Sequence, residues 1–162
     1  MYVDYELEPE AEQKPRLREL ALRYAELGNH LANYARNEQF CAEQTLQDYV
    51  RKNPNIYRGL AARFATLAVP RVLRELHRDP NKRFTDRDHV DLDDRLVSLR
   101  TASPDISEQP RMYLHLSVVG GGRILVPFTH CLRDSVDAGE GRRVLLRRET
   151  DGWHVYAKMR EK

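Results

Sequence analysis

The chain is poor in cysteine, in lysine and in long apolar runs. Two cysteines, Cys41 and Cys131, stand far apart among 162 residues. Such spacing excludes a disulfide framework and a paired-cysteine zinc site, and it suits a reducing, cytoplasmic setting. No apolar run approaches the roughly 18 residues of a membrane span, and no signal-peptide pattern opens the sequence, so no membrane partner is expected. Low complexity and internal repeats are also missing. Hydrophobic residues make up 41% and charged residues 32%, the profile of a folded chain with one large domain or two small ones.

Patterns that announce catalysis are lacking too. His30, His77, His89, His115, His130 and His154 form no H-E-x-x-H pair. The aspartates at 86, 88, 91, 93 and 94 lack the spacing and central glycine of a calcium loop, and read as a solvated charged segment. Gly120-Gly121-Gly122 precedes neither Lys-Ser/Thr nor a helix, so it is a hairpin turn and not a phosphate loop. Cys131 lacks a nucleophile context and reads as a buried or half-buried thiol. No metal site and no cofactor is expected.

Charge is what the sequence does have, unevenly placed. The net value is +2. Residues 1–110 hold 17 basic and 19 acidic side chains, whereas residues 111–162 hold 10 and 6. Arginines outnumber lysines 22 to 5. Arginine's planar five-donor fork suits phosphates and bases, although a GC-rich genome produces the same bias.

The alternation in Tyr2–Leu7 predicts a strand ended by Pro9. Leu17, Leu20, Tyr24, Leu27, Leu31 and Tyr34 then recur at helical spacing, with Pro15 near the start and Gly28 costing some helicity. A second helix is expected over Cys41–Lys52, then a turn at Asn53-Pro54-Asn55. Leu60, Phe64, Leu67, Leu73 and Leu76 predict a third helical stretch, kinked or split at Pro70 and closed by Asp79-Pro80-Asn81. Beyond Phe84 the pattern turns to strands. His89–Leu92 and Arg95–Leu99 read as a strand pair, Thr101–Pro110 as a loop, and Met112–Val119 with Arg123–Phe128 as a hairpin. His130–Gly141 reads as a polar connection. Arg143–Glu149 and Trp153–Met159 form a second hairpin across Asp151-Gly152. A lone N-terminal strand would leave exposed edges, so it is expected to join the C-terminal sheet. The expected fold is α+β: an antiparallel β-barrel of the oligonucleotide-binding kind, with a helical bundle inserted after the first strand.

A two-residue Asp151-Gly152 turn pairs Glu149 with His154, Arg147 with Tyr156, Leu145 with Lys158 and Arg143 with Arg160 on one face. The opposite face, from Val144 and Leu146 to Val155 and Ala157, is apolar apart from Thr150 and Arg148 near the turn. Arg143, Arg147, His154, Tyr156, Lys158 and Arg160 are therefore the candidate RNA contacts, cations for phosphates around rings that stack on bases. A solvated hairpin face is the plainer alternative.

The order of elements resembles that of TnpB proteins, transposon-encoded RNA-guided nucleases related to type V CRISPR effectors. Leu7-Glu8-Pro9-Glu10-Ala11-Glu12-Gln13-Lys14 is similar to their opening, where a strand gives way to a proline, an acidic stretch and a glutamine that starts a long helix. Asn29 and Asn33 lie where that helix commonly carries asparagine. Leu60–Leu76 resembles the later recognition-lobe helices, Phe84–Leu99 the return to the barrel, and Val144–Val155 the closing hairpin. The resemblance covers nearly all of the chain, by pattern and order. It implies a wedge-like barrel (residues 1–8 and 84–162), an inserted recognition-lobe-like bundle (9–83) and a guide-like structured RNA as partner. It also implies contact of the helical lobe with target DNA, for which Arg58, Arg63, Arg71 and Arg74 are candidates. In that family a RuvC-type nuclease domain follows. The sequence stops at Lys162, where that domain would begin, so the resemblance carries no catalysis onto these residues. A natural short relative, a split half with the nuclease on another chain, and a truncated form all fit. Two other classes stand beside this one. A protein–protein adaptor would use the Leu17–Tyr34 stripe, and a small hydrolase would use His130 or His154.

Overall fold

The computed structural model describes residues 2–39, 41–101, 112–128 and 143–158. Strand β1 (Tyr2–Glu6) leads into helices α1 (Lys14–Asn37), α2 (Glu43–Lys52) and α3 (Ala62–Arg78). Strands β2 (Val90–Leu92), β3 (Val97–Thr101), β4 (Met112–Ser117), β5 (Arg123–Phe128), β6 (Val144–Glu149) and β7 (Gly152–Lys158) follow. The fold is α+β with antiparallel strand pairing throughout the described residues.

Helix α1 starts at Lys14 with Pro15 in its first turn, where a missing N–H costs nothing. Gln13 organises that start. Its side-chain carbonyl accepts the Glu10 amide at 3.0 Å, and its Nε2 donates to the Leu125 carbonyl in β5 at 2.6 Å. The predicted stripe Leu17, Leu20, Tyr24, Leu27 and Leu31 is buried, together with Phe64, Val69, Val72 and Leu76 of α3. Tyr34, the last of the stripe, is half-buried and stacks on Tyr49 of α2 at 3.7 Å.

Pro70 does not split α3. One helix runs from Ala62 to Arg78 with Pro70 inside it. A proline in a helix interior leaves the carbonyl four residues back without its donor. That carbonyl belongs to Thr66, and Gln47 of α2 donates its Nε2 to it at 3.1 Å. The expected turn at Asn53-Pro54-Asn55 is the start of a single 3-10 turn over Pro54–Tyr57.

Gly28 serves contact and not flexibility. A Cβ there would lie 3.0 Å from the Phe84 ring. The next residue, Asn29, accepts the Phe84 amide at 2.7 Å and donates to the Phe84 carbonyl at 2.9 Å. Phe84, where the chain turns back towards the strands, is thus held against α1 by a side chain that mimics a strand partner.

The N-terminal strand joins the C-terminal sheet as expected: β1 pairs with β7 in a sheet of order β1-β7-β6-β2. The remaining strands form a second sheet, β3-β4-β5. His89–Leu92 and Arg95–Leu99 are therefore not a strand pair. Val90–Leu92 pairs with β6 and Val97–Thr101 with β4, because the tight turn at Asp93, whose carbonyl accepts the Leu96 and Val97 amides, sends the chain from one sheet into the other. Among the described residues the strands do not close into one barrel. Among the described residues one isolated bridge, between Leu7 and Phe128, joins the sheets at their edges, and both contribute to one core.

The last hairpin is slipped by two residues from its expected register. Glu149 pairs with Gly152, Arg147 with His154, and Leu145 with Tyr156. A type I′ Asp-Gly turn needs positive φ at both central residues. Here Gly152 has φ +144° while Asp151 does not enter that region, so Thr150-Asp151 makes the turn. A slip of two preserves the faces. Leu146, Val155 and Ala157 are buried as expected. The expected pairs with Met159 and Arg160, and the segments Thr101–Pro110 and His130–Gly141, lie wholly or largely outside the described residues.

Candidate nucleic-acid interface

On the outer face of the β6–β7 hairpin, charges of both signs are paired. His154 in β7 is 8% exposed. Its Nδ1 lies 2.7 Å from Asp4 of β1 and its Nε2 2.9 Å from Asp151 of the turn. Burial opposes charge on this imidazole. The two carboxylates, Asp4 first, outweigh it and raise the pKa above the ordinary value. The Tyr156 ring stacks on His154 at 6.2 Å, and its hydroxyl donates to Glu149 at 2.8 Å. Burial and then that carboxylate push the phenol up to about 12. Arg147 is solvent-exposed, with Glu149 3.5 Å away. Arg143 precedes β6 and lines a small crevice with Arg74 and Pro70 of α3. Lys158 ends β7 opposite Tyr2, and Arg160 lies outside the described residues.

The four candidate arginines of the helical region, Arg58, Arg63, Arg71 and Arg74, divide in the same way. Arg58 and Arg74 are exposed. Arg63 is bound to Asp93 at 2.5 Å. Arg71 is 4% exposed. It donates to the His89 carbonyl, lies 3.5 Å from Asp91, and sits over the rings of Tyr24 and Phe84 at 5.5 and 5.1 Å. Tyr24 completes the network by donating its hydroxyl to Asp91 at 2.7 Å. Burial works against the Asp91 carboxylate, but His89, Arg71 and Tyr24 together hold its pKa below the ordinary value. Arg71 is thus out of reach of a duplex.

The aspartates of residues 86–93 are not a solvated loop. Asp86 takes Arg148 at 3.1 Å, Asp88 takes Lys82 at 2.9 Å, Asp91 takes Arg71 and Asp93 takes Arg63. Sequence reading missed these pairs because the partners of Asp86, Asp91 and Asp93 come from distant segments.

A groove that the sequence did not reveal lies where the start of α1 faces the β6–β7 turn. It encloses about 410 Å³ and is lined by Lys14, Arg18, Arg87, Arg148 and residues 149–153. Lys14 and Arg18 stand one helical turn apart, so both point from one face of α1. Arg87 comes from the turn held by Asp88, whose carboxylate accepts the Thr85 amide at 2.8 Å. Trp153 underlies the groove as a core residue, 7% exposed. Among the described residues Lys14, Arg18 and Arg87 form no ion pair, whereas the carboxylates of the groove are engaged: Glu149 with Tyr156, and Asp151 with His154. The helical signal for this site was present in Lys14-x-x-x-Arg18; its meeting with Arg87 and Trp153 was not.

Among the described residues one group of three metal-capable side chains stands out: Glu6, Asp151 and His154, with donor atoms within 4.8 Å of one another. No helix there is long and apolar enough to cross a membrane. No protein-family model and no curated protein matches the chain.

Proposed function

We propose that this chain is a non-catalytic RNA-binding component of a TnpB-type or type V CRISPR-like ribonucleoprotein, holding a structured guide-like RNA. The observation that carries the reading is the groove on which Lys14, Arg18 and Arg87 converge, none of them in an ion pair among the described residues. Cations converging on one groove meet the first need of a nucleic-acid backbone, phosphate neutralisation. The order of strand, three helices and returning strands supports the family resemblance. In this reading the two sheets are an open form of the oligonucleotide-binding barrel, with the Leu7–Phe128 bridge as one seam and the turn at Asp93 as the other. The helical lobe meets target DNA through Arg58 and Arg74. The Arg147–Tyr156 face is a secondary contact, since its charges are largely paired. Purifying the protein at low salt and sequencing the bound nucleic acid tests the reading. A defined structured RNA is expected, and nucleic-acid-free protein contradicts it.

One observation favours the adaptor instead. The Leu17–Leu31 stripe is consumed by the protein's own core, but Leu22 on the outer side of α1 is 44% exposed. It lies in a shallow depression of about 430 Å³ with Lys14, Arg18, Glu19 and Arg23. Light scattering separates the two: a stable oligomer free of nucleic acid belongs to the adaptor.

A further inference from the structure

We propose that Glu6, Asp151 and His154 form a divalent-cation site of the zinc class, with Asp4 orienting the imidazole from behind. The residues are 145 or more positions apart in part and meet only because β1 lies beside β7: Glu6 pairs with His154 in that ladder, and Asp151 stands in the turn just before β7. Their donor atoms fall within 4.8 Å of one another.

Three carboxylates converge on one imidazole. Asp4 faces Nδ1 at 2.7 Å, so the Nδ1–H donates to it. Nε2 lies 2.9 Å from the Asp151 carboxylate, and Glu6 reaches the same side. Across the ladder the facing cation is Arg147, itself 3.5 Å from Glu149. A divalent ion brings two positive charges to this acidic cluster. It replaces the Nε2 proton, which leaves to solvent, and draws in Glu6.

The geometry requires small movements. Zinc holds nitrogen and oxygen donors at about 2.0–2.2 Å, which places tetrahedral ligands about 3.4 Å apart. Asp151 and His154 must part by about 0.5 Å, and the exposed Glu6 side chain must close by up to about 1.4 Å. Three protein donors leave a fourth position for water. The carboxylate behind the ligating histidine is the common way in which proteins fix the tautomer and strengthen the donor. The imidazole selects zinc, cobalt or nickel over magnesium and calcium, which prefer oxygen alone. Bound there, the ion pins the β6–β7 turn to β1, beside the basic groove.

Isothermal titration of the full chain with Zn2+ tests the site, with Mg2+ as a parallel arm. One Zn2+ per chain is expected, with a dissociation constant below about 10 μM and proton release on binding. Glu6→Gln and Asp151→Asn change exposed side chains and keep the fold, which circular dichroism checks; each is expected to weaken Zn2+ at least about tenfold. Asp4→Asn is expected to weaken it by about 10–100-fold without changing stoichiometry. The proposal is overturned by the lack of saturable Zn2+ binding below about 1 mM. It is equally overturned by Zn2+ binding that Glu6→Gln and Asp151→Asn leave intact, or by Mg2+ binding as tight as Zn2+.

Discussion

The side-chain amide of Gln47 donates to the carbonyl of Thr66, the one carbonyl in α3 that Pro70 deprives of its helical donor. A neighbouring helix thereby repairs the defect, and α3 remains one element. Gln47→Ala is expected to destabilise the protein by about 1 kcal/mol in urea unfolding. Pro70→Ala restores the internal donor, so the same substitution in that background is expected to cost clearly less. Equal costs in both backgrounds would show that Gln47 acts otherwise.

Gly28 is expected to resist replacement although it lies in a helix. Alanine gains about 1 kcal/mol of helix propensity. Its Cβ, however, meets the Phe84 ring at 3.0 Å, and that ring is held by both hydrogen bonds from Asn29. Gly28→Ala is therefore expected to be net destabilising in denaturant unfolding, and neutral or stabilising once Phe84→Leu relieves the contact.

Arg71 is expected to behave as a core residue. Removing it strands Asp91 in a buried position, and Arg71→Ala should cost about 3–5 kcal/mol. Arg58→Ala and Arg74→Ala, at exposed positions, should stay within about 0.5 kcal/mol of the parent. Thermal and urea unfolding of the three variants make the comparison.

His154 gives stability a pH dependence of known sign. Its folded pKa lies above its ordinary value of 6.5. The contribution is thus complete below that ordinary value and is lost as pH rises through the folded pKa. Asp4, Asp151, Glu6, Arg147 and Tyr156 are the charged or titratable groups that face it. With chelator present, the stability advantage of the parent over Asp4→Asn/Asp151→Asn is expected to shrink as pH rises above the ordinary histidine value of 6.5. An advantage that stays constant would contradict the ion-pair account.

Local pattern and long-range charge pairing differ in how far the sequence reveals them. Apolar spacing of three and four residues marks α1 and α3, and the two-residue period keeps Leu146 and Val155 inside even though the hairpin register moves by two. The register itself depends on which residue takes positive φ, which Asp-Gly alone does not decide. Arg63 and Arg71 look like surface cations until Asp93 and Asp91 arrive from beyond the helices. Likewise Tyr156 and His154 look like a free aromatic face until β1 brings Asp4 alongside them. Apart from Asp151, three residues before His154, no partner of these positions lies within a few residues of it. The basic groove is hidden for the same reason, because Lys14, Arg87 and Trp153 lie on three separate segments.

The central claim is that RNA phosphates sit among Lys14, Arg18 and Arg87, and a salt-dependent titration tests it most directly. Fluorescence anisotropy with a structured guide-like RNA, between about 50 and about 200 mM salt, gives the slope of log affinity against log salt. The parent is expected to bind with a clearly negative slope. Lys14→Ala/Arg18→Ala/Arg87→Ala is expected to weaken binding at every salt and to flatten the slope by about 2, three contacts at about 0.7 each. An unchanged slope and affinity in the triple variant, or an affinity of the parent that is indifferent to salt, would contradict the account.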